Sequence, residues 1–225
     1  MKYFDLVIFD CDGVLVDSEL ITNRVFAEMI NDLGGAVTLD DMFDRFVGHS
    51  MKHCLSIVRD MIGRDVPPTF IEEYRERTTL ALTEHLQPIP GIHTALNELT
   101  CRFCVASSGD HEKMRTTLGL TGLLERFEGR LFSVTQVSRG KPAPDVFLFA
   151  AAQMGVQPER VAVIEDTPTG VAAGKAAGMT VFGYAGRTPP ARLREAGAAV
   201  VFTSMHDLPS LLSALPTDSK PKHDD

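Results

Sequence analysis

The sequence predicts an α/β protein: a parallel sheet covered by helices on both faces, with a helical domain inserted after the first strand. Three observations carry this. Short apolar runs rich in strand formers alternate with helical stretches whose faces are built from small residues. One long block interrupts that alternation with apolar residues recurring at three and four. Glycine and proline clusters punctuate the block and close it.

Taken in order, residues 4–9 (FDLVIF) are too short for a helix, are bounded by acids and read as a buried strand. From residue 18 to about 86 the pattern changes. Ile21, Val25, Phe26, Met29, Ile30 and Leu33 form one helical face, and Met42, Phe43 and Phe46 a second. Leu55, Ile57, Val58, Met61 and Ile62 form a third, and Ile71, Tyr74 and Leu80 a fourth. Gly34 with Gly35, Gly48, and Pro67 with Pro68 separate four expected helices, and Pro88, Ile89, Pro90 and Gly91 end the block. Strand-like runs then return at 103–106 (FCVA), 161–164 (VAVI) and 179–184 (MTVFGY), with a weaker one at 199–203. Between them, residues 144–154 start with a proline and stop at Gly155, and residues 169–177 carry small side chains that let a helix sit close on a sheet. The expected domains are a core of 1–16 and 88–215, a helical domain of 17–87, and a disordered tail at 216–225 (PTDSKPKHDD), which lacks apolar content. No internal repeat is present.

With 44% apolar and 23% charged residues over 225, the chain has the composition of a globular protein. Lysine plus arginine number 22 against 30 aspartates and glutamates, a formal net charge of −8, so no basic field exists to gather nucleic acid. No apolar run approaches the ~18 residues of a membrane span, and the N-terminus meets acids too early for a signal peptide, so a cytoplasmic protein is expected. Cys11, Cys54, Cys101 and Cys104 are too scattered for a disulfide framework, and the CxxC of Cys101 and Cys104 lacks a second pair, which makes these structural thiols. The acidic balance poses a question for any anionic substrate: its site must be made locally positive by particular lysines, backbone amides or a metal.

The run FDCDGVLVDSE (9–19) places Asp10 and Asp12 just beyond the first strand, where open parallel sheets bind ligands. Gly13 turns the backbone sharply after them, and their shared charge calls for a cation. Ser107 and Ser108 end the second strand in VASSGD, Lys141 opens GKPAPD, and Glu165 and Asp166 end the third in IEDTPTG. Each has a plainer explanation: a serine helix cap, a solvated lysine, an acidic helix start. Taken together, those explanations require several coincidences. The set supplies a nucleophilic carboxylate, a second carboxylate to carry a proton, a hydroxyl donor, a fixed cation and acids for a hard metal such as Mg²⁺, which is a kit for phosphoryl transfer. No G-x-S-x-G elbow is present, none of the seven histidines has a neighbourhood that nominates it as a base, and Gly174-Lys175 is followed by alanine rather than completing a nucleotide loop.

The order FDCDGV, VASSG, GKPAPD and IEDTPTG resembles the four motifs of the haloacid dehalogenase-like phosphohydrolases, over about residues 4 to 202. The helical insertion is similar to the cap of the phosphoglycolate phosphatase and beta-phosphoglucomutase branch. The resemblance implies a Rossmann-like core with a helical cap. It also implies a Mg²⁺-dependent phosphatase acting on a small-molecule phosphate ester, a sugar phosphate or sugar-acid phosphate, through an aspartyl phosphate. By it, Asp10 is the nucleophile, and Asp12 protonates the leaving oxygen and then activates water. Ser107 bonds the phosphoryl oxygens, and Lys141 bridges Asp10 and the phosphate. Asp10, the Asp12 carbonyl oxygen and Asp166 hold Mg²⁺, with Glu165 behind them. Backbone amides from Cys11 to Gly13 and of Ser108 complete a phosphate cradle. Dehalogenase chemistry is disfavoured because Asp12, missing in that enzyme type, is present here.

In this family the cap reads the part of the substrate that is not phosphate. In its loop FVGHSMKH, His49, Ser50 and Lys52 are candidates for that contact, and Arg75 and Arg77 are others. A mutase of the beta-phosphoglucomutase kind has a cap histidine and a cap arginine where this sequence has Thr22 and Met51, which favours hydrolysis. A non-catalytic, phosphate-responsive module like a receiver domain would carry its acceptor on a later strand and lack the insertion. The sequence leaves open which metabolite is the substrate, with phosphoglycolate also in range, and it does not fix the oligomeric state, for which a monomer suffices.

Overall fold

The computed structural model describes residues 4–46 and 51–214, without the side chain of Phe43. His49, Ser50 and the expected tail at 216–225 lie outside the described residues. In chain order the helices and strands are β1 (Leu6–Phe9), α1 (Glu19–Asp32), α2 (Leu39–Arg45), α3 (Met51–Ile62), α4 (Phe70–His85), α5 (Ile92–Glu98), β2 (Arg102–Ser107), α6 (His111–Leu120), α7 (Leu124–Phe127) and β3 (Leu131–Ser133). They continue with α8 (Asp145–Gln153), β4 (Val161–Glu165), α9 (Pro168–Ala176), β5 (Thr180–Tyr184), α10 (Pro190–Ala196), β6 (Val200–Phe202) and α11 (Leu208–Ala214). The chain divides into two compact units, Met1–Val16 with Pro88–Asp225, and Asp17–Gln87.

In the first unit six strands form one sheet in the order β3-β2-β1-β4-β5-β6, and every neighbouring pair is parallel. Leu6, Val7, Ile8 and Phe9 of β1 are wholly buried, as continuous apolar sequence in a sheet covered on both faces requires. Burying each such side chain is worth about 1.5–3 kcal/mol. The chain runs from β1 through β2 to β3 at one edge and resumes with β4 on the other side of β1, so the strand order reverses at β1 and opens a crevice at the strands' C-terminal ends. Register fixes what reaches it: Phe9 pairs with Val105 and with Ile164. The Asp10 amide then donates to the Ile164 carbonyl at 3.0 Å. Helix α9 lies close on the sheet because Gly174 has no Cβ; one built there would come within 2.7 Å of Val181.

One strand, β3, went unread in the sequence, and β2 extends one residue beyond 103–106 at each end. The strand β3 has only three residues, too few for an apolar run to register as a pattern. Cys101 precedes β2, whose first residue is Arg102, and only Cys104 of the two thiols is buried in the strand.

The second unit is α1 to α4. Its core gathers around Phe26, whose ring meets Phe46, Phe70 and Tyr74 edge-on with centroids 5.8, 5.6 and 5.1 Å away. A capping box starts α2: the Thr38 hydroxyl accepts from the Asp41 amide, and the Asp41 carboxylate accepts from the Thr38 amide at 2.8 Å. The ends of this unit meet, with the Asp17 amide donating to the Gln87 carbonyl at 3.0 Å. In the first unit, Val16 bridges Pro88 antiparallel and the Ile89 amide donates to the Leu15 carbonyl at 2.9 Å. Among the described residues no helix is long and apolar enough to cross a membrane.

Candidate active site

Four of the expected residues meet at the crevice. Asp10 leaves the end of β1, Glu165 ends β4 and Asp166 follows it, while Lys141 reaches in from the loop before α8. The Lys141 ammonium donates to Asp10 Oδ1 at 2.5 Å, Glu165 Oε1 at 2.7 Å and the Ala106 carbonyl at 3.1 Å, which accounts for all three of its protons. Its nitrogen also lies 4.7 Å from the centre of the Phe147 ring. Burial opposes the lysine's charge, but Asp10 and Glu165 more than offset it and hold its pKa above the ordinary lysine value. Burial pushes Asp10 up to about 7 against the pull of Lys141, with Glu165 and Asp12 adding repulsion.

Glu165 is clamped by the start of α9. Its Oε2 accepts from the amides of Asp166 and Thr167, both at 3.1 Å, and from the Thr167 hydroxyl at 2.9 Å. Thr167 in turn caps the helix by accepting from the Gly170 amide at 3.1 Å. Gly170 has to be glycine, since a Cβ there would fall 1.8 Å from Glu165 Oε1.

Asp10, Glu165 and Asp166, all buried, each offer a carboxylate oxygen within 4.8 Å of the others. Three hard oxygen donors facing one lysine leave an excess of negative charge that suits a divalent cation of the Mg²⁺ class. Gly13 makes room for this set: at φ +77° it occupies the left-handed region, and a Cβ on it would lie 2.0 Å from Asp166 Oδ2. With both Glu165 oxygens already accepting from Lys141 and the α9 start, Asp10 and Asp166 are the side chains better placed to ligate.

Asp12 stands apart from this cluster, and Lys113 of α6 donates to its Oδ2 at 2.7 Å. Ser107 is buried and its hydroxyl accepts from the Gly109 amide at 3.0 Å; Ser108 is exposed. Cys11 is buried, with its sulfur 3.9 Å from the Thr117 hydroxyl, and burial raises its thiol pKa well above the ordinary value. Gly13 corrects one expectation: its amide donates to the Val16 carbonyl at 2.8 Å, so that amide closes a turn instead of facing a phosphate. In the helical unit Lys52 and Arg75 are exposed, and Arg77 is ion-paired with Asp32 at 2.7 Å.

The sequence reading missed Lys113, Thr167 and Gly170. A signal existed for Lys113, because a lysine in the first turn of a helix opposes the macrodipole and calls for an anionic partner. A cavity of about 430 Å³ opens at the other end of the sheet, beside Asp5, Arg102, Gln157 and Arg160, and contains none of these residues.

The model of the haloacid dehalogenase-like hydrolase family matches residues 4–178. The 6-phosphogluconate phosphatase of Escherichia coli (strain K12) is 32% identical over 215 residues, covering 95% of this chain and 97% of that protein. A conserved haloacid dehalogenase-like protein of unknown function from Agrobacterium tumefaciens str. C58 superposes with a TM-score of 0.86 at 35% identity, over 94% of this chain and 98% of that one. A hydrolase of the same family from Deinococcus radiodurans R1, crystallised with phosphate and sodium, has a TM-score of 0.83 at 34% identity, covering 94% and 96%. The chain belongs to the haloacid dehalogenase-like hydrolase family and, within it, is a phosphoric monoester hydrolase.

Proposed function

We propose that the chain is a Mg²⁺-dependent phosphatase that hydrolyses a small phosphorylated metabolite, a sugar phosphate or sugar-acid phosphate, through an aspartyl phosphate on Asp10. One observation carries the reading: Lys141 ties Asp10 to Glu165 in a buried carboxylate cluster, while Asp12, two residues on, lies outside it with its own lysine.

Asp10 attacks phosphorus through a carboxylate oxygen, forming its own bond to phosphorus as the bond to the leaving oxygen breaks. Asp12 gives that oxygen its proton, then takes one from the water that displaces Asp10 and releases orthophosphate. Lys141, by its charge beside Asp10, and the Ser107 hydroxyl, by a hydrogen bond, stabilise the phosphoryl oxygens. Asp10, the Asp12 carbonyl and Asp166 would hold Mg²⁺, with Glu165 anchoring Lys141 behind them. The ion supplies charge neutralisation and polarisation of the phosphoryl group. The same reading assigns the segment 17–87 as the cap and His49 and Lys52 as its substrate-recognition residues. The likeness to an enzyme named for 6-phosphogluconate supports the sugar-acid class, and a cytoplasmic location is part of the same proposal.

The test is orthophosphate release across a panel of phosphorylated sugars, sugar acids and phosphoglycolate, with and without a chelator. Turnover of at least one sugar or sugar-acid ester that stops on chelation and returns with Mg²⁺ is expected. Full activity in excess chelator would overturn the metal assignment.

A further inference from the structure

We propose that Lys113 is a positioning residue for Asp12: it holds one carboxyl oxygen so that the other is aimed at the leaving group. This rests on the reading of Asp12 as proton donor and acceptor.

Four observations point to it. The first is the 2.7 Å contact between Lys113 Nζ and Asp12 Oδ2, made across 101 residues of sequence. The second is the lysine's place in α6, where it sits in the first turn against the helix dipole. Its backbone is fixed there by Asp110, whose carboxylate accepts from the Lys113 amide at 2.8 Å. Glu112 and the capping Asp110 already meet the helix dipole, and the lysine's ammonium goes to Asp12.

The third observation is convergence. A Cβ built on Gly109 would lie 3.4 Å from Lys113 Cδ, 3.4 Å from Ser107 Oγ and 4.0 Å from Asp12 Oδ2. The lysine stem, the serine hydroxyl and the Asp12 carboxylate therefore surround one small space over Gly109. The fourth is exclusion: Lys141 already donates to Asp10, Glu165 and the Ala106 carbonyl, so it has no proton left for Asp12.

With Oδ2 held by Lys113, Oδ1 is the oxygen that passes its proton to the leaving oxygen as the phosphorus–oxygen bond breaks. The same oxygen later takes a proton from the attacking water. With the lysine side chain 42% exposed and that of Asp12 24%, this pair sits at the rim, open to solvent.

The experiment measures kcat/KM, which ends with departure of the leaving group and so isolates the first proton transfer. Lys113→Met, Lys113→Arg and Asp12→Asn are compared with wild type on two esters that carry no other charge, an alkyl phosphate with a poor leaving group and a nitrophenyl phosphate with a good one. For Lys113→Met the loss on the alkyl ester should exceed the loss on the nitrophenyl ester by about tenfold or more, within the range of a general acid. Lys113→Arg should recover most of that difference. Equal losses on both esters, or no loss, would overturn the proposal, because a purely structural or phosphate-binding lysine does not sense the leaving group. If Asp12→Asn also fails to discriminate between the esters, the proton-transfer reading of Asp12 has failed as well. If only Asp12→Asn discriminates, the role of Lys113 alone is refuted.

Discussion

Asp10 and Asp12 share one loop, and each is bound to a lysine, but the two ion pairs live in different media. The side chains of Lys141 and Asp10 are 5% and 10% exposed, whereas those of Lys113 and Asp12 are 42% and 24% exposed. At depth, removing two charges from water is costly, and the pair persists because Glu165 and the Ala106 carbonyl take the remaining lysine protons. At the rim, solvent screens the attraction, so the pair orients Asp12 while adding little to stability. A nucleophile profits from the first arrangement, since its position must not vary. On the proposed reading a proton carrier profits from the second, since the leaving oxygen and then water must reach it.

The comparison breaks first at Asp10. Asp10→Asn should lower orthophosphate release by roughly three orders of magnitude or more, as loss of a nucleophile does. Lys141→Ala should lower it by about 10²–10³. The same change should destabilise the fold by about 3–5 kcal/mol, because it leaves Asp10 and Glu165 facing each other without their cation. Turnover and a denaturant midpoint, measured on the same sample, check both numbers.

Asp12→Ala sharpens the division of labour. With a nitrophenyl ester the variant should still phosphorylate Asp10 but lose the water-activating step, so the covalent intermediate accumulates. Mass spectrometry should find a phosphate-sized increase on Asp10 that hydroxylamine removes. A mass increase mapped to Asp12 or Asp166 in wild type would reverse the assignment.

The smallest effect is at the rim. Lys113→Met should shift stability by no more than about 1 kcal/mol, whatever it does to turnover. Equal stability costs at Lys113 and Lys141 would show that depth does not separate the two pairs.

The strand-end positions of Asp10, Ser107, Glu165 and Asp166 were legible in the sequence because each closes a short apolar run with a polar turn, and Lys141 was legible by the turn GKPAPD before a helix. Parallel strands then bring such ends to one edge. Lys113 was not legible in the same way: a single lysine on a helix looks like a solvated residue until Asp12 is found 101 positions away. Thr167 and Gly170 read as an ordinary helix start, and only the fold reveals that Glu165 lies against them. Gly13 was rightly singled out for its turn, but local sequence does not tell which backbone group a turn faces inward. The amide bonds to Val16, and what the site uses is the missing Cβ. The strand β3, three residues long, owes its place to neighbouring β2 more than to its own composition.

The contact between the Asp17 amide and the Gln87 carbonyl, with Val16 beside Pro88, gives the helical segment adjacent points of exit and return. To the rest of the chain, a folded segment with touching ends behaves as a tight turn. An unstructured loop of the same length would cost about 4 kcal/mol in closure entropy, a penalty the segment meets with its own packing around Phe26. Such an insertion is self-contained: its closure depends on its meeting ends and its own core, so substitutions inside it leave the strand that carries Asp10 intact.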